Sequence, residues 1–133
     1  MKMNRERITI VLLLALLAFC GWALNNTVTV SREMSTLTDE AISMTDMGRA
    51  DPDSFDALGQ KLGEISRRWE ECEPVVSTYS RHDELERVSS AVRKLRPLYE
   101  SKKPGELYLT LNETRAALDH LKKTELPTIA NIL

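Results

Sequence analysis

The residues able to do chemistry in this chain are few and scattered. His82 and His120 are its only histidines, and Cys20 and Cys72 its only cysteines. Neither histidine belongs to a His-x-x-x-His or Cys-x-x-Cys pattern, and no facial carboxylate set accompanies them, so the three or four ligands of a transition-metal site are not assembled. Glu70, Glu71 and Glu73 form an acidic cluster. On a helix, however, neighbouring side chains diverge around the axis and do not converge on one cation. No Ser-His-Asp order, glycine-rich phosphate loop or nucleophile elbow can be drawn. The expectation is a chain that is not an enzyme and uses no cofactor and no metal. His82, beside Asp83 and Glu84, reads as part of a helix-start turn. His120 is expected near the end of the last helix, where a cation suits the helix dipole. Trp69 and Tyr79 fall on an apolar helix stripe and read as core. Cys72 shares that stripe and reads as a small buried hydrophobe, with an intermolecular disulfide as the alternative.

The elements that must carry these residues begin with an apolar leader. Residues 8–24, ITIVLLLALLAFCGWAL, contain no charge and no proline, and no charged residue follows until Arg32. Such a run reads as a membrane-spanning helix. Seventeen residues at ~1.5 Å each reach about 25 Å, slightly under a hydrocarbon core, and the uncharged residues 25–31 can supply the rest. Lys2, Arg5 and Arg7, against Glu6 alone, precede the span, whereas 15 basic and 19 acidic residues follow it. The positive-inside rule then orients the chain with residues 1–7 as a cytoplasmic stub and residues 25–133 outside. Trp22 falls at an interface. A cleaved signal peptide starts in the same way, with Gly21 and Ala23, or Ala18 and Cys20, as passable cleavage positions. Against cleavage stand the length of the run and the want of an Ala-x-Ala site. The bulky Phe19 before Cys20 speaks against a lipoprotein signal.

The remainder reads as helices throughout. Val30, Met34, Leu37, Ala41 and Met44 continue the leader helix as a narrow stripe that Gly48 closes. Asp51 and Pro52 then restart the chain as cap and first helical residue. Phe55, Leu58, Leu62, Ile65, Trp69, Cys72, Val76 and Tyr79 follow steps of three and four, which predicts one helix kinked but not ended at Pro74. Leu85, Val88, Val92, Leu95 and Tyr99 mark a third helix that Asp83 is expected to cap and Pro97 to bend. A turn over residues 101–105 leads to a fourth, carried by Leu107, Leu111, Thr114, Leu118 and Leu121, with Pro127 expected to stop it. Four amphipathic helices with short connections predict an all-α fold: an N-terminal transmembrane helix followed by an antiparallel four-helix bundle of two hairpins. The acidic second helix is expected to set Glu70 and Glu73 against Arg93, Lys94 and Arg96 of the basic third. An offset of 52 residues matches Pro52 to Pro104 and Phe55 to Leu107, a weak echo of two related helix pairs.

These residues resemble a known family. The apolar leader, Trp69, the step His82-Asp83-Glu84-Leu85, the stretch Leu118-Asp119-His120-Leu121 and the ending Asn131-Ile132-Leu133 together resemble the bacterial domain-of-unknown-function family DUF4363. Pro74 and Pro97 depart from its unbroken helices. The resemblance implies a bacterial envelope protein without assigned activity, and directs attention to His82, Glu84, His120 and Asn131 as turn or tail contacts.

A formal charge of −2 and a pI near 5.7 argue against nucleic acid as a partner, since phosphate neutralisation needs a basic face. The reading is therefore a single-pass protein of the bacterial cytoplasmic membrane whose partners are the bilayer and either an envelope protein or a second copy of itself. The alternative is a ligand-binding helical ectodomain with its site near Trp69, Tyr79 and Tyr108, or the same domain secreted after leader cleavage.

Overall fold

The computed structural model describes the backbone of residues 4–47 and 52–132, and the side chains of residues 4–45 and 53–124. It contains four helices, α1 (Arg5–Met47), α2 (Pro52–Val76), α3 (His82–Glu100) and α4 (Pro104–Ile132), and no strand among the described residues. Gly48 and Asp51, read as stop and cap, lie outside the described residues, and so does the side chain of Asn131.

The first helix is one element with two environments. Residues 4–19 are exposed on every side of the helix, Leu12 at 65% and Leu14 at 60%. From Cys20 onward burial becomes periodic: Cys20, Ala23, Thr27, Val30, Met34, Thr38, Ala41 and Thr45 follow one another at steps of three and four. That spacing keeps one face of an unbroken helix toward its neighbours. Leu37 and Met44, expected on the stripe, are only half-buried, whereas Thr38 is fully enclosed. Threonine can fill such a seam because its hydroxyl donates to a carbonyl of the preceding turn, as Thr38 does to Met34 (2.7 Å) and Thr45 to Ile42 (2.6 Å).

Each helix packs against two others: α1 against α2 and α4, and α3 against α2 and α4. Lys61 reaches Glu40 at 2.7 Å and Arg68 reaches Glu33 at 2.6 Å, so that moving forward on α2 means moving back on α1. The hydrophobic core runs through all four helices. Met34, Leu62, Ile65, Val88, Leu95, Leu111 and Leu118 are at most 1% exposed, and the expected stripe residues of α2, α3 and α4 supply most of the rest. At about 1.5–3 kcal/mol for each fully buried aliphatic side chain, this burial is what holds helices that would be marginal in isolation.

Several local expectations are corrected. The second helix passes through Pro74 but ends at Val76, so Tyr79 lies in the connecting turn. Proline cannot donate to Glu70, and beyond it Ser77 Oγ and Thr78 Oγ1 bond back to the carbonyls of Pro74 and Val75, both at 2.7 Å. The backbone N–H groups of Thr78 and Tyr79 then tighten to three-residue bonds, which closes the helix. The third helix begins at His82, with Arg81 as cap residue; Asp83 sits in its first turn, where its charge still suits the dipole. Pro97 lies inside α3, which continues to Glu100. Its end is closed by Lys102 at φ 54°, with Lys103 N–H bonding to Leu98 O and Lys102 N–H to Tyr99 O. The fourth helix starts at Pro104, so Gly105 is helical and the turn is shorter than expected. Pro127 does not stop α4, which runs on to Ile132; a proline removes one backbone bond without forbidding the helix on either side of it. The 52-residue echo survives at one point, since Pro52 and Pro104 both open helices.

One close approach was not readable from periodicity. A side chain on Gly59 would meet the Tyr99 ring at 2.5 Å. The missing Cβ admits a tyrosine that stacks on Phe55 (4.4 Å) and donates its hydroxyl proton to the Phe55 carbonyl.

Candidate functional site

The exposed apolar segment is the feature with the plainest functional content. The helix Arg5–Thr45 contains an eighteen-residue window of mean hydropathy 2.3, only 11% buried, near the N-terminus. Ile10, Val11, Leu12, Leu13 and Leu14 each expose more than half of their surface. So continuous an exposed apolar surface marks a contact site, and near the N-terminus it is compatible with a membrane anchor or a signal sequence. Arg5 and Arg7 stand immediately before it, while Lys2 lies outside the described residues.

Where that segment enters the bundle, the turn between α2 and α3 is fastened to α1. Trp22 meets Phe19 at 5.8 Å between centroids and Tyr79 edge-on at the same distance. Asn26 Nδ2 donates to the Tyr79 hydroxyl oxygen at 2.8 Å, and Thr27 Oγ1 donates to it at 3.1 Å. Cys20, Ala23 and Leu24 complete a small apolar cluster around Tyr79. Trp22, expected at an interface, is here the partner of Tyr79, a pairing that the apolar spacing does not specify. The available signal was polar: Asn26 and Thr27 interrupt the apolar face one turn past the leader and need partners.

The other singled-out residues fall into two contacts. Trp69 is sealed in the core at 2% exposure, and its indole N–H donates to Ser89 Oγ at 2.9 Å, tying α2 to α3. Glu84 is buried on α3, and its Oε2 lies 2.5 Å from His120 Nδ1 on α4, so an Nδ1–H can donate across the helix pair. The sequence named both residues but not their union. His120 therefore works through a cross-helix bond, and with α4 continuing to Ile132 it does not occupy that helix's end. His82 is exposed at the start of α3. Tyr108 is exposed on α4, Trp69 is enclosed and Tyr79 is at the turn, so these three aromatics occupy three separate settings.

The electrostatics are also redistributed. Arg93 pairs with Glu86 and Arg96 with Glu100, both within α3, although a groove of about 530 Å³ between α2 and α3 is lined by Glu70, Glu73, Arg93 and Arg96. The cross-helix ion pairs join α1 to its neighbours instead: Lys61 to Glu40, Arg68 to Glu33 and Arg115 to Asp39. The hydrogen bond that Lys61 donates to Glu40 is the main influence holding the Lys61 ammonium above its usual range, against the opposing effect of burial. Burial pushes the Cys72 thiol up, with nearby Arg68 opposing, which disfavours the thiolate needed for disulfide exchange. Both cysteines are buried and free. Among the described residues no three His, Cys, Asp or Glu side chains cluster as a metal site.

These features define an all-helical chain with one helix long and apolar enough to cross a membrane. The chain belongs to the family described as Domain of unknown function (DUF4363), whose model matches residues 26–132. The match begins inside α1, beyond the exposed apolar segment and the buried Cys20 and Ala23, and takes in the rest of α1 with α2, α3 and α4. No curated protein and no solved structure matches it.

Proposed function

We propose that this protein is a membrane-anchored, non-enzymatic interaction module: α1 spans the cytoplasmic membrane with its N-terminus inside, and an antiparallel bundle of two helical hairpins stands on the outer face. The observation that carries the reading is the continuity of α1. One unbroken helix is bare and apolar over residues 8–19 and a core member from Cys20 to Thr45, so the bundle is rigidly attached to its anchor. The basic residues before the span support the orientation.

The surface offered to a partner lies along α3 and α4. A groove of about 600 Å³ there is lined by Arg93, Lys94, Pro97, Leu98 and Glu106 together with Leu109, which is 61% exposed. A photo-crosslinking residue at position 109, activated in intact cells, tests the reading. A discrete adduct to a membrane protein or a second copy, lost when the exposed groove residue Lys94 is changed to glutamate, supports it. Recovery of monomer alone from cells contradicts it.

A further inference from the structure

Resting on the anchored reading of α1, we propose that the turn between α2 and α3 is a second membrane contact, so that the bundle is seated on the lipid headgroups and not held clear of them. The length of the apolar run sets the depth at which α1 leaves the hydrocarbon. The uncharged apolar run 8–24 covers about 25 Å at ~1.5 Å per residue, whereas a hydrocarbon core is about 30 Å thick. The deficit of about 5 Å corresponds to roughly three residues. It cannot be made up on the N-terminal side without immersing Arg7, Glu6 and Arg5, while on the other side α1 carries no charge before Arg32. The far edge of the hydrocarbon therefore falls at about residues 25–27.

Those are the residues to which the turn is fastened. Tyr79 accepts from Asn26 and Thr27 and packs edge-on against Trp22. The two polar side chains nearest the boundary are thereby provided with a partner, which lowers the cost of placing them at low dielectric. Tyrosine and tryptophan with an apolar body and a polar tip are the residues that favour the interfacial zone. On the outer side of the same turn Val75 is 40% exposed and Pro74, Ser77 and Thr78 are open to the surroundings. Arg81 and His82 follow, exposed, at the point where the chain turns back. An uncharged loop tip that exposes Pro74 and Val75 beside Ser77 and Thr78, with Arg81 paired to Asp83 at 3.6 Å behind it, suits the boundary between acyl chains and headgroups when held at the depth of the lipid interface.

Spin-label depth measurements on the full chain in phosphatidylethanolamine–phosphatidylglycerol vesicles test this directly. Labels are placed at Leu16→Cys in the span, Thr78→Cys in the turn and Gln60→Cys on α2, with the parent chain as background for Cys20 and Cys72. Accessibility to oxygen is compared with accessibility to a water-soluble nickel chelate. The expected result is a deep Leu16, a water-like Gln60 and a Thr78 between them, within about 5 Å of the hydrocarbon edge. A Thr78 label as water-exposed as Gln60, beside a deep Leu16, overturns the second contact and leaves the anchor standing. A Thr78 label as deep as Leu16 overturns the interfacial placement. A water-exposed Leu16 overturns the anchor and this inference together. If Thr78→Cys does not fold, Val75→Cys carries the same comparison.

Discussion

Replacing Met34 with alanine should separate the two roles of α1. Met34 is fully enclosed and belongs to the core shared by all four helices. Truncating a buried methionine to alanine costs about 2–5 kcal/mol, the lost transfer energy plus the residual cavity. Against a domain stability of about 5–15 kcal/mol this is a large fraction. At about 4 °C per kcal/mol for a domain of this size, the midpoint should fall by roughly 8–20 °C. Leu14→Ala is the matched control: Leu14 is also an apolar residue of α1 but is 60% exposed and touches no core residue of the bundle. It should change the bundle's stability by less than about 0.5 kcal/mol, a midpoint shift under about 2 °C. The assay is thermal unfolding followed by circular dichroism at 222 nm, a wavelength set by the helical signal, with both variants in the same mild detergent. Equal shifts, or no shift for Met34→Ala, would refute the claim that one continuous helix is anchor at one end and core at the other.

Three further outcomes follow from named contacts. Trp69→Phe should destabilise the domain by about 1–3 kcal/mol in chemical denaturation, because Ser89 loses its indole donor and part of the ring volume is left empty. His120→Ala should cost about 1–3 kcal/mol by leaving the buried Glu84 side chain without its α4 partner, and the double variant with Glu84→Leu should recover part of the loss. Because burial raises the Cys72 thiol pKa in the folded chain, folding favours the protonated thiol, so its stabilising effect is complete at neutral pH and is lost as pH rises above the unfolded thiol's value of about 8.5. Maleimide labelling of Cys72 should accordingly be slow at neutral pH and accelerate on unfolding, as read by intact mass.

Most of the fold was legible because its dominant force is periodic. The stripes of α2, α3 and α4 were written in leucine, isoleucine and valine at helical spacing, and Leu58, Leu62, Ile65, Leu85, Val88, Leu95, Leu111 and Leu118 are buried as read. The stripe of α1 was harder because Thr27, Thr38 and Thr45 share it: the hydroxyls of Thr38 and Thr45 bond to their own helix and that of Thr27 to Tyr79, and each counts as core only once its bond is seen. Helix ends were less legible still. Pro74 shows why: the ring leaves the helix standing for two more residues, and side-chain hydroxyls at Ser77 and Thr78 decide where it closes. Long-range pairings such as Glu84 with His120, and Tyr79 with Asn26 and Thr27, depend on which helix faces meet, a property that no single stripe specifies. Glu70 and Glu73 do share a groove with Arg93 and Arg96, but the direct pairs of those arginines lie elsewhere. Arginines on α3 found acids one or two turns away on their own helix, where less side-chain entropy is lost than in reaching across the groove.

The most direct measurement of the central claim is intact mass combined with alkaline carbonate extraction of membranes from cells expressing the untagged chain. The anchored account predicts the full-length mass, 15.1 kDa, retained in the membrane pellet after extraction. A soluble chain beginning near Gly21 or Leu24, or a full-length chain released by carbonate, would contradict it.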